Sequence, residues 1–224
     1  MKTIRRLGLL LAIATMTAPV AGCITLLPKP GKPPAVVAMR ADPTVPRQAQ
    51  QSPFTIGIGV PTMPAILLGN QIAVMRKDRT FAYVDGLRFS ASAPLSIQNV
   101  VLETFDLAGS TRAAVRAVTI ARPDYELHFD VSAFQVTEPQ GRTKGVARIE
   151  ATARLIEVYS GKPLASKVIT GEAIAARGDV TQPARALEQA TRNFAIKAMQ
   201  WAVKEADADY ASKAASATKE IRAS

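Results

Sequence analysis

Apolar and polar positions alternate most regularly in the middle of the chain. Tyr125, Leu127, Phe129 and Val131 interleave with Glu126, His128, Asp130 and Ser132. That period of two predicts a strand with one buried and one wet face. Phe134 and Val136 fall on the opposite parity, which predicts a bulge. Ala147, Ile149, Ala151, Ala153 and Leu155 alternate with Arg148, Glu150, Thr152 and Arg154 within a second strand over 146–159. Ser160-Gly-Lys-Pro163 is a turn, and 164–174 returns as a third strand. The three read as an antiparallel meander with one solvated face. Earlier, shorter strands are predicted over 54–60, 72–75, 80–84 and 115–120, with Leu67-Leu68 and Asp85-Gly86 as turns. The spacing switches to a helical one over 94–107, where Leu95, Val101, Leu102 and Phe105 form a stripe that Ile97 and Val100 thicken, and Gly109 stops it. A second helix is predicted over 182–206, capped by Thr181, with Leu187, Ala190, Phe194, Ala198 and Trp201 on one face. The expected fold class is α+β: a mainly antiparallel sheet packed on one face by two amphipathic helices.

The two ends differ from this middle. Lys2, Arg5 and Arg6 precede a mostly apolar stretch over 7–20, too short and too interrupted to span a bilayer as a helix. Val20-Ala21-Gly22-Cys23 follows, two small residues before the only cysteine of the chain. This resembles a bacterial lipobox, with 1–22 as the leader and Cys23 as the acylated residue. Ile24, rather than Asp, follows the cysteine; by resemblance to lipoprotein sorting in enteric bacteria, this implies the outer membrane, periplasm-facing. Seven prolines between 24 and 53 predict a semi-rigid tether over 23–53, able to hold the domain about 90 Å from its anchor at about 3.1 Å per residue. The folded domain is expected over 54–206, and the alanine-rich tail 207–224 either extends the last helix or frays. Losing the three leader cations lowers the net charge from +10 to +7. A basic balance fits nucleic acid, lipid head groups or an acidic protein, and export removes nucleic acid.

Chemistry-bearing motifs are sparse. One histidine and one cysteine exclude a disulfide framework, and no metal-ligand spacing is present. Gly57-Ile-Gly59 lacks the third glycine and the following helix of a dinucleotide fingerprint. His128, Asp130 and Ser132 share a strand face and invite a hydrolase reading. Residues two apart on a strand are about 6.6 Å apart, beyond direct hydrogen-bond reach. The wet face carrying Arg148, Glu150 and Arg154 is the candidate partner-binding surface. No catalytic residue and no cofactor beyond a covalent lipid (a palmitate-type chain on Cys23) is expected. Trp201 belongs to the core rather than to a binding site.

The order of these features resembles a known family. A lipobox is followed by Pro61-x-x-Pro64-x-x-Leu67-Leu68, then by Ile72, Val74 and Arg76, and by Tyr83, Arg88-Phe89 and Pro94-Leu95. Tyr125-x-Leu127-x-Phe129-x-Val131-x-x-Phe134 and Gly161-Lys-Pro-Leu-Ala165 come next, before the last helix. Over residues 1–206 this resembles the ABC-type transport auxiliary lipoproteins, similar to the paraquat-inducible lipoprotein C group. Phe89 stands where that family usually has a tryptophan. The resemblance implies a fold related to the TolB N-terminal domain and a non-catalytic role beside an MCE-domain lipid transporter. It also implies docking of the MCE-domain protein and assembly of copies into a homo-oligomeric ring. A TolB-like or secretion-associated structural lipoprotein, and a periplasmic hydrolase using Ser132 and His128, are the alternatives.

Overall fold

The computed structural model describes residues 33–118, 122–138, 144–176 and 179–223. Cys23 and the leader lie outside the described residues. Eight strands form one mixed sheet: β1 (Ala35–Val37), β2 (Ser52–Ile58), β3 (Gln71–Met75), β4 (Phe81–Phe89), β5 (Thr111–Arg116), β6 (Tyr125–Thr137), β7 (Gly145–Glu157) and β8 (Lys162–Ala175). Two helices, α1 (Ala93–Ala108) and α2 (Gln182–Ala223), complete the fold. The class is α+β, as the pattern predicts.

Strand β6 is the hub. One edge pairs antiparallel with β7 along its whole length, and β7 pairs antiparallel with β8. The other edge takes β2 in parallel at Tyr125–Leu127 and β3 in parallel at Val136–Thr137. Beyond them lie β5 on β2 and the β4–β1 pair on β3. The β6–β7 register slips between Val131 and Ala133, so Ser132 is the expected bulge. After it Phe134 and Val136 turn inward on their new parity. The meander of β6, β7 and β8 stands as read, and its alternation is that of a sheet wet on one side.

Both helices cover the other side. On β7 three of the buried residues, Ala147, Ala151 and Ala153, are small, and α2 answers with Ala190, Ala195, Ala198 and Ala202, all fully buried. Small residues on both partners bring helix and sheet backbones close. Gly171 of β8 marks the closest approach: a Cβ there would sit 2.1 Å from the Ala190 carbonyl oxygen. Phe194 meets Phe129 at 5.3 Å between ring centroids. Phe89 packs against Phe134 at 6.1 Å between ring centroids. Helix α1 ends on Gly109 in the left-handed conformation, as its position predicts.

Four expectations change, and one alternative left open is settled. First, residues 35–53 are not free tether. Strand β1 pairs with β4, and Met39, Ala41 and Val45 are buried. Glu103 of α1 accepts from the Ala41 amide at 2.9 Å, and Arg192 of α2 donates to the Arg40 carbonyl at 2.8 Å. The prolines stiffen the segment against the body rather than away from it. Second, Asp85-Gly86 does not end β4. Gly86, at φ +65°, makes a kink inside it, where the register jumps from Tyr83 opposite Ala73 to Arg88 opposite Gln71. Third, the strand expected over 115–120 is β5, which ends at Arg116 because its partner β2 ends at Ile58; residues 119–121 lie outside the described residues. Fourth, Leu95 is exposed. It lies two residues from Ile97, about 200° around the helix from the buried Ile97–Val101–Phe105 row. The tail, left open between extending the last helix and fraying, extends it: α2 continues to Ala223.

Candidate interaction surface

Alternation along β6, β7 and β8 collects the polar side chains on the face opposite the helices. They form a lattice of ion pairs whose register follows from strand pairing. Arg148 on β7 reaches Glu172 on β8 at 2.8 Å and also pairs with Glu150 on its own strand. Thr170 and Ser132 donate to the same Glu150 carboxylate, at 3.3 and 3.2 Å. Arg154 pairs with Asp130 across β6–β7, and Asp130 also accepts from the Thr62 hydroxyl. These contacts pull the carboxyl groups down. The Arg148 guanidinium lowers the Glu150 pKa, and the Thr62 hydroxyl, then Arg154, lowers that of Asp130. Arg148 is raised in turn, chiefly by Glu150. The three residues singled out as a partner surface therefore share one face but neutralise one another and their neighbours. Such a face offers matched plus and minus points, not a block of positive charge.

His128, Asp130 and Ser132 do not come together. His128 Nε2 lies 2.8 Å from Glu126 Oε2, Asp130 is held by Thr62 and Arg154, and Ser132 is the bulge residue bonded to Glu150. The G-x-G pair has a packing role instead. A Cβ at Gly59 would lie 2.8 Å from His128 Nδ1, and one at Gly57 would lie 2.8 Å from Pro123. The segment after β2 continues along β6 through the Gly59 amide bonded to the Leu127 carbonyl.

Sequence reasoning missed two features. One is a groove of about 680 Å³ between β8 and α2, floored by Trp201 and flanked by Lys167, Lys197 and Lys204. Trp201 is 8% exposed, so it is a core residue with one edge in the groove. Strand β8 is a sheet edge, and α2 caps part of it: Lys197 donates to the Thr170 carbonyl and Asn193 to the Glu172 carbonyl, both at 2.9 Å. Such capping blunts an edge that would otherwise pair with other chains. The other is a cluster at the far end of the sheet. The Tyr125 hydroxyl donates to Asp209 at 2.9 Å, and Lys213 bridges Asp209 at 2.8 Å and Glu157 at 3.4 Å. Glu157 also accepts from Ser160, chiefly its hydroxyl, which holds its pKa at about 2. Burial first, then Asp209, raises the Tyr125 hydroxyl. These residues fasten α2 beyond Ala206, where no apolar stripe marks the helix.

A model of the ABC-type transport auxiliary lipoprotein component family matches residues 38–197, well over half of the chain. The protein belongs to that family. The match spans β2 to β8, α1 and the first sixteen residues of α2, and it begins just after β1, inside the proline-bearing segment that the fold holds down. A crystal structure of a Xanthomonas campestris protein of the DUF330 family superposes with a TM-score of 0.67 at 21% identity, over 79% of this chain and 99% of that one. A second, described only as an uncharacterized protein, gives 0.56 at 14% identity, over 77% and 99%. At these identities the likeness is one of fold. No curated protein matches the chain.

Proposed function

We propose that this auxiliary lipoprotein is the outer-membrane-anchored, periplasm-facing accessory component of an MCE-type ABC transport system that moves lipids or other hydrophobic compounds between membranes. Its lipid sits on Cys23, and its role is non-catalytic docking or exit of cargo. The observation that carries this reading is the family match over residues 38–197. The lipobox supports the anchor. The wet face of β6–β8 supports docking, because paired charges that stay half exposed can exchange partners with a second protein at little cost. The same face is the proposed contact for an MCE-domain partner or for neighbouring copies in a ring. Tagged protein purified from membranes after mild cross-linking is expected to bring down an MCE-domain protein together with its ATPase and permease. Recovery of secretion or pilus components alone rejects the reading.

A further inference from the structure

The turn between β3 and β4 reads Arg76-Lys77-Asp78-Arg79-Thr80, and all five residues are exposed. The turn is built, not slack. The Arg76 amide donates to the Thr80 carbonyl at 2.8 Å, the Arg79 amide donates to the Arg76 carbonyl at 3.0 Å, and Arg79 itself is left-handed at φ +68°. Asp78 accepts from the Thr80 amide and hydroxyl at 3.0 and 2.6 Å, which turns its carboxylate back into the turn. The parallel pairing of β3 with the end of β6 brings Glu138 and Lys144 to the same rim. Four cations thus face two carboxylates there, and among the described residues none of the four cations forms an ion pair. The contrast is with the sheet face, where Arg148 and Arg154 are both neutralised.

Chain direction places this rim. Strand β1 runs parallel to β4, with Ala35 beside Leu87. The backbone therefore joins the body travelling from the rim side, with about 20 Å of β4 between Leu87 and the turn at about 3.3 Å per residue. Eleven residues lie between Cys23 and Ala35, and the chain from one to the other spans at most about 40 Å. Helix α2 starts at the rim end and runs the other way: Asp209 meets Tyr125 at the opposite end of β6. Residues 210–223 continue about 20 Å further at about 1.5 Å per residue.

We propose that the basic β3–β4 turn, with Arg76, Lys77, Arg79 and Lys144, rests on the anionic phospholipid head groups of the membrane that carries the lipid anchor, with the α2 arm pointing away from it. Exposed cations close to such a surface gain from its negative potential, and salt weakens the gain. The proposal rests on acylation of Cys23 as read above.

The test uses full-length lipidated protein in vesicles of phosphatidylglycerol and phosphatidylethanolamine, with phosphatidylcholine vesicles for comparison. Acylation consumes Cys23, so a fluorophore goes only to an introduced thiol, Asp78→Cys or Ser216→Cys. Quenching by a head-group-labelled lipid is expected to be at least threefold stronger at position 78 than at 216 in the anionic vesicles. About 0.5 M salt, or Arg76→Glu with Lys77→Glu and Arg79→Glu, is expected to halve it or more. Salt needs no altered residue, so the test survives a variant that fails to fold. Equal quenching at the two positions, or no difference between anionic and neutral vesicles, overturns the proposal. Mass analysis of the N-terminal peptide reads the anchor separately. If no acyl chain is found, the anchor reading falls, and salt-sensitive co-sedimentation with the anionic vesicles then decides the turn's role by itself.

Discussion

Single residues set how closely helix and sheet approach. Gly171 has no room for a side chain: a methyl group would meet the Ala190 carbonyl oxygen at 2.1 Å and Phe194 Cβ at 2.7 Å. Both neighbours are backbone or next to it, so α2 itself must lift. Gly171→Ala is expected to lower stability by about 1–3 kcal/mol, the range for overpacking, read as a fall in melting temperature. Gly69→Ala is the control, since its nearest neighbour lies at 3.8 Å, and a change within about 0.5 kcal/mol is expected. Equal effects at the two sites would reject the close-approach argument. Glu157 makes a second residue-scale prediction. Its pKa is held at about 2 against an ordinary 4.5 by the Ser160 hydroxyl and amide and by Lys213. A lowered carboxylate pKa contributes stability that is full above the ordinary value and is lost as pH falls toward the folded one. Unfolding measured between pH 5 and 2 should therefore steepen in the native protein and flatten in Glu157→Gln. At pH 7 the variant should be about 1–2 kcal/mol less stable, as for a buried hydrogen-bonded carboxylate. An unchanged pH slope would show that Glu157 does not fasten the end of β7 to α2.

At the level of elements, the paired charges of β6–β8 permit a sharp experiment. Arg148→Glu with Arg154→Glu puts carboxylates opposite Glu150, Glu172 and Asp130. Half-exposed pairs contribute about 0–1 kcal/mol each, and like charges opposite one another cost similar amounts. A fall of no more than a few degrees in melting temperature is expected, with weakened self-assembly or partner docking read by oligomer mass and binding. Wild-type assembly and binding would reduce the face to a solvated one. How much of this was legible in sequence follows from which interactions are local. The alternation of β6 and β7 was readable because one face packs against α2, and the parity change at Phe134 reported the Ser132 bulge. Gly109 announced its cap. The parallel partners of β2 were not readable, because period two shows a buried face and not a neighbour. Strand β1 hid among prolines, although no proline lies inside Ala35–Val37. Asp85-Gly86 looked like a turn because the same dihedral that closes a hairpin also makes a kink within a strand. The far half of α2 lacked a stripe because Asp209, Tyr210 and Lys213 hold it by single contacts. The wet face was visible by alternation, whereas the pairing of Arg148 with Glu172 depends on the β7–β8 register.

For the whole molecule, the shortened spacer changes what holds the protein at a membrane. Since the body is packed from Ala35 onward, the segment free to act as tether shrinks from the expected 23–53 to the stretch before it. With Cys23 acylated as proposed, at most about 40 Å of chain would separate the lipid from Ala35, and two attachments of very different strength would act together. Each buried methylene of an acyl chain contributes about 0.8 kcal/mol, so two or more chains outweigh a rim whose cations contribute about 1 kcal/mol apiece at most and are partly offset by Asp78 and Glu138. The lipid should therefore decide location, and the basic turn only orientation. Cys23→Ser removes the thiolate that acylation requires. It is expected to leave the protein unacylated, uncleaved by the lipoprotein peptidase and missing from the outer-membrane fraction. Its body should still melt like the native one, because the described strands and helices run from Ala35 to Ala223 and do not include Cys23. Fractionation with N-terminal mass analysis reads the first outcome, and thermal melting reads the second. A Cys23→Ser protein that is still processed and still recovered with the outer membrane would reject acylation as the anchor and leave the cationic rim, or a partner, to account for the attachment.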